Sequence, residues 1–215
     1  MSGLFDPKNG LWRTVSAMTD VCGLSFLWAA ACVPVVTIGT ATAALYFAVV
    51  RHVRRREDGA FKAFFHSFRM NFKQGILATL VVLVPAFFLQ LGWRLCRMAA
   101  ASTSYGYAVL AGYSLLMLLP LGALMFLFPL LGRFSFSLKD LFAMASRLTL
   151  AHLPTALLLV AINGAAAFLC LRLVLPLFFM PALAALASSL LLEKVFRRYA
   201  PELEEEEAAE EDLGI

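Results

Sequence analysis

PVVTIGTATAALYFAVVRHVRRREDGAFKAFFHSFRMNFKQ, residues 34–74, is the stretch whose reading decides the fold. It begins in apolar sequence, leaves it through Arg51, Arg54, Arg55 and Arg56, and ends in a short segment rich in phenylalanine. Phe61, Phe64, Phe65, Phe68 and Phe72 recur at helical spacing and share one stripe. Lys62, His66, Arg69 and Lys73 occupy the other side. That division predicts an interfacial anchor, a short helix with its rings in the acyl boundary and its cations toward headgroups.

The rest of the chain agrees with a membrane setting. Of 215 residues 61% are hydrophobic and 15% charged, and the mean hydropathy is +0.82. Soluble domains average roughly 45–50% apolar and about 25% charged. The net charge of +4 conceals a segregation, because eight of the fourteen acidic residues lie in the last fourteen positions. Basic character within apolar sequence sets membrane orientation and gives no reason to expect nucleic acid. Cys22, Cys32, Cys96 and Cys170 are scattered through apolar runs and read as small hydrophobes, with no disulfide framework. The opening residues lack a basic-then-apolar leader with a small-residue cleavage site, so the first apolar segment is expected to stay in the membrane.

Six spans are expected, at about 15–33, 38–53, 76–93, 105–131, 153–171 and 177–192, in an all-α bundle. Asp20 is the single charge of the first. It either complements the helix dipole near headgroup water or serves as a buried functional carboxylate. Gly39, Thr40, Ala43 and Ala44 give the second span a small-residue face. Such a face lets another helix approach closely, and packing against the first span is favoured over an oligomer contact. Pro120 predicts a kink in the fourth span. Asn163, in the fifth, needs a hydrogen-bond partner, either on a neighbouring helix or on a substrate.

Between the fourth and fifth spans, Ser137 with Asp140 suggests a helix start. Leu138, Leu141, Phe142, Ala145 and Leu148 then form a stripe, which reads as a second interfacial helix. The segments FKAFF at 61–65 and LKDLF at 138–142 resemble each other, and each is followed by an arginine and an apolar span. This suggests an internal repeat in parallel orientation. Residues 1–200 thus form one membrane domain. The tail from Pro201 is too acidic to pack and is expected to be disordered.

Orientation follows from counting. With both termini in the cytoplasm, fifteen Lys and Arg lie inside and three, Arg94, Arg97 and Arg172, lie outside. Those three have no acidic neighbour in sequence. They are assigned to lipid phosphates or, alternatively, to a shared anion site for a carboxylate ligand or an acidic partner. No H-E-x-x-H, G-x-S-x-G or Walker loop occurs, so no catalytic residue, metal or cofactor is assigned.

The stretches LWAAACVPVVTIGTATAALY (27–46), FKAFFHSFRMNFKQ (61–74) and FPLLGRFSFSLKDLF (128–142) carry a resemblance. In them the chain resembles the YesL family, small bacterial membrane proteins grouped as a domain of unknown function. One departure is Ser25, where members of that family often carry asparagine. The resemblance implies a protein of the bacterial cell membrane, encoded near carbohydrate ABC importers and sensor kinases. It points to an accessory role beside importer subunits, with membrane lipids as the other partners, and supplies no catalytic residue. A small secondary transporter is the competing expectation.

Overall fold

A computed structural model describes the backbone of residues 10–54, 59–102, 105–134, 136–173 and 175–213, and side chains over 18–51, 59–100, 105–134, 136–173 and 175–199. Among the described residues there are eight α-helices and no strand. They are α1 (Gly10–Ala31), α2 (Ile38–Ala48), α3 (Ala60–Met70), α4 (Phe72–Ser102), α5 (Gly106–Arg133), α6 (Leu138–Ala151), α7 (Leu153–Arg172) and α8 (Met180–Leu213). A wider π turn over Val49–Arg54 prolongs α2. Arg55 and Arg56, counted above on the inner side, lie outside the described residues.

Three helices are long and apolar enough to cross a membrane: Phe72–Ala100, Gly106–Arg133 and Leu153–Arg172, with mean hydropathies of 2.2, 2.3 and 2.0. Most of their residues face outward, so they present apolar surface that a bilayer would cover. The other expected spans fall short by this measure. The eleven residues of α2 rise about 17 Å against a hydrocarbon core of about 30 Å. The apolar start of α8 ends at Glu193.

α2 lies at the centre. Gly39, Thr40, Ala41, Ala43, Ala44, Leu45, Tyr46 and Ala48 are all buried, so every side of this helix is covered. Small side chains make that possible. A Cβ placed on Gly39 would stand 2.4 Å from Thr79 Oγ1 and 2.5 Å from the Phe128 ring. One on Gly75 would meet Thr40 Oγ1 at 2.3 Å, and one on Gly132 would meet the Ala43 carbonyl oxygen at 2.6 Å. Gly39, Thr40 and Ala43 therefore pack against α4 and α5, in addition to the expected neighbour α1. Ala44, the fourth residue of the small-residue face, lies in a cluster with Leu24 of α1.

α3 and α4 both pack on α2, α6 and α7 both pack on α5, and α2 packs on α5. Each half is thus a central helix, a short amphipathic helix folded back along it, and a long helix beyond a one-residue break at Asn71 or His152. This arrangement gives α6, and Phe64 of α3, a protein neighbour. Phe64 is 1% exposed, in a cluster with Leu24, Leu45, Ala48 and Val49. Phe68 is half-buried, whereas Phe61, Phe65 and Phe72 keep 41%, 48% and 41% exposure. On α6, Leu141, Ala145 and Leu148 sit in a core with Phe126, Leu127 and Leu130. Protein covers the α6 stripe and Phe64 of α3, while Phe61, Phe65 and Phe72 of the α3 stripe stay exposed. Amphipathic spacing states which side of a helix is covered and is silent on what covers it.

The acidic segment corrects a second expectation, because α8 continues to Leu213 where disorder was expected. Extending an existing helix avoids the cost of nucleation, and the Glu and Ala of this segment are good helix formers.

The glycine contacts make a stability prediction. Gly132→Ala should lower stability by about 1–3 kcal/mol, because the neighbour is backbone and cannot rotate away. Gly112, on the same helix, has nothing within 4 Å of an added Cβ. Gly112→Ala should be neutral or stabilise by about 1 kcal/mol. Thermal unfolding in detergent checks this; equal melting temperatures for the two variants would refute the close approach of α2 and α5.

Candidate functional site

Arg133 ends α5, where the unpaired carbonyls of the last turn favour a cation. Its guanidinium pairs with Glu193 of α8, which is only 4% exposed. The Tyr46 hydroxyl, from α2, donates to Glu193 Oε1 at 3.4 Å. Three helices distant in sequence therefore meet at one carboxylate. The guanidinium also lies over the rings of Phe134 (5.4 Å) and Phe196 (5.7 Å), which themselves meet edge to face at 6.2 Å. Burying a carboxylate is costly unless it is paired and hydrogen-bonded, and both conditions are met here. A planar guanidinium can bind an acid along its edge while its face rests on an aromatic ring, which an ammonium cannot do equally well.

This cluster was not singled out from the sequence. Arg133 reads as one of many inner cations and Glu193 as a polar span end. The one available signal was an acid directly after twenty residues that carry no charge. Nearby, His152 meets the Tyr199 ring edge to face at 5.6 Å, and its Nε2 is buried without a hydrogen-bond partner among the described residues.

The residues expected to be functional sit on α1, α4 and α7. Asn163 Nδ2 donates to Leu159 O at 2.9 Å and to Ser188 Oγ at 3.0 Å, so its partner is α8. Asp20 is half-buried on α1. Arg97 lies over the Trp93 ring at 4.9 Å and Arg172 over the Phe168 ring at 5.2 Å, each one turn back on its own helix. Arg94 is exposed on α4. Both α4 and α7 lie against α5. Ser25 is fully buried and its Oγ accepts the Ala182 N–H at 3.2 Å, satisfying a donor in the first turn of α8.

A recess of about 520 Å³ opens between α4, α5 and α6, walled by residues such as Val81, Pro85, Met117, Pro120, Leu124 and Phe142. Gln90 and Ser146 are its polar side chains. Among the described residues no group of three His, Cys, Asp or Glu is placed to hold a metal ion.

The family model described as "Protein of unknown function, DUF624" matches residues 21–93. That match takes in half of α1, all of α2 and α3, and about two thirds of α4, roughly a third of the chain. It includes the small-residue face and the phenylalanine stripe and stops before Arg133 and Glu193. No curated protein and no solved structure matches the chain.

The ion pair yields an asymmetric prediction. Arg133→Met alone strands the buried Glu193 carboxylate and should lower stability by about 3–5 kcal/mol, and Glu193→Leu alone, which leaves the partly exposed Arg133, should cost less. The double variant Arg133→Met/Glu193→Leu should recover most of that loss. Melting temperatures of the four proteins form a cycle; purely additive losses would show that the pair is not coupled.

Proposed function

We propose that this chain is a multi-pass protein of the bacterial cell membrane, with six spans and both termini cytoplasmic. It acts without catalysis as a partner within a membrane assembly, and a carbohydrate importer or its sensing system is the candidate. One observation carries the reading. α3 and α6 are each fixed through their buried faces to a central helix, and they leave cations exposed on the other face. On α3 these are Lys62 and Arg69, and on α6 Lys139 and Arg147. Phe65 is exposed on α3 as well. A cationic and aromatic surface on rigid supports suits docking to an acidic surface of another subunit.

The remaining features support the same reading. The polar cluster at Glu193 joins helices, and the recess beside α4 is too apolar to suit a sugar, which needs several hydrogen-bonding groups. The match at residues 21–93 is consistent with the YesL resemblance, from which the link to carbohydrate uptake comes. A secondary transporter is the second reading, favoured by the like packing of α2–α3–α4 and α5–α6–α7, since internal repeats recur in transporters.

Purification in mild detergent, with identification of co-purifying membrane proteins, tests the proposal. Importer subunits should be retained by the native chain and lost on joint substitution of Lys62, Arg69 and Phe65 by Ser. Substrate flux in liposomes containing this protein alone would overturn it in favour of transport. Orientation is tested separately. A reporter fused after Ile215 should be active in the cytoplasm, and an impermeant thiol reagent should label Ser102→Cys from outside; labelling from the cytoplasm would invert the topology.

A further inference from the structure

The recess between α4, α5 and α6 has a shape that restricts what can fill it. Its lining on α4 runs from Val81 to Gln90 and on α5 from Met117 to Leu127. At 1.5 Å of rise per residue these are lengths of about 14 and 15 Å, along two of the helices apolar enough to cross a membrane. Half of a hydrocarbon core of about 30 Å is also about 15 Å, the depth of one leaflet.

The walls restrict the chemistry further. Valine, proline, alanine, leucine, methionine and phenylalanine line nearly all of it. Of the two polar side chains, Ser146 already donates to the Phe142 carbonyl at 2.8 Å. A sugar or an ion would leave most of its hydrogen-bonding or charged groups without partners there. Pro85 and Pro120 lie one on each helix of the recess. Neither has an N–H, so each withholds a donor from the carbonyl four residues earlier.

We propose that this recess is a binding site for one lipid acyl chain, held lengthwise between α4 and α5 and flanked by α6. The proposal rests on the membrane placement of α4 and α5 and adds a specific ligand class to it. A phospholipid of the surrounding leaflet and a free fatty acid offer the same hydrocarbon chain, and the two are separated by using each as a probe.

The protein, reconstituted in phosphatidylcholine vesicles, is photolysed with phosphatidylcholine carrying a mid-chain diazirine and, in parallel, with a diazirine palmitate. Labelled residues are mapped by mass spectrometry. With at least one probe, adducts should concentrate on Val81, Leu89, Met117 and Leu124 over Leu157 and Leu158 of the outward face of α7. An excess of about tenfold corresponds to a preference of about 1.4 kcal/mol. The double variant Ala86→Phe/Ala123→Phe, which fills the recess, should remove that excess and leave α7 labelling unchanged. The ratio in the unaltered protein decides the matter even if the variant fails to fold. Equal labelling of the recess and α7 overturns the acyl-chain site while the membrane placement stands. Absence of labelling on both overturns the two together.

Discussion

The close approach of α2 to α4 and α5 is the constraint on which the rest depends. In a bilayer the surrounding chains are as apolar as the helix surfaces, so helices associate by contact packing and interhelical hydrogen bonds. Gly39, Gly75 and Gly132 permit that contact, each leaving room for a neighbour that a Cβ would displace. Thr79 adds direction to it. Its Oγ1 accepts the Gly39 N–H at 3.2 Å and donates to Gly75 O at 2.7 Å, joining the first turn of α2 to α4. The same closeness leaves Thr40 Oγ1 buried without a partner among the described residues, a cost that the packing must offset.

With α2 held there, the remaining helices have few places to go. α3 folds back over its lower part, where Phe64 stacks near Phe68 with centroids 6.1 Å apart. α5 lies along the other side and is lined by α6 and α7 in the same manner. α8 closes the bundle through the Glu193 pair with Arg133, which brings its carboxylate to Tyr46 on α2. The central helix is therefore secured by contact at its start and by a charged hydrogen-bonded group farther along. A buried charge is a poor source of net stability but a good selector of register, because alternatives leave it unpaired. That suits a rigid body that presents surfaces to partners.

Much of this fold was legible in the sequence. The seventh helix, expected at 153–171, is found as Leu153–Arg172, and the small face of α2 was visible in its spacing. What the face packs against was not legible, since small-xxx-small spacing states that a backbone comes near and never which one. The stripes of α3 and α6 were legible, but not that protein covers Phe64 and the α6 residues, because lipid and protein demand the same apolar spacing. The pairing of Arg133 with Glu193 spans sixty residues, and neither residue announces its partner. The tail from Pro201 was misread because composition alone omits the helix already running into it.

The contact between α2 and α4 can be tested covalently. An ideal Cβ on Gly75 lies 3.0 Å from Thr40 Cβ, close to the roughly 3.5–4.5 Å that a disulfide requires. In a background lacking the four native cysteines, Thr40→Cys and Gly75→Cys are combined with a protease site inserted after Gly59. After oxidation in membranes and cleavage, the two fragments should migrate as one species without reductant and separate with it. Fragments that separate without reductant would place α2 away from α4 and contradict the central packing.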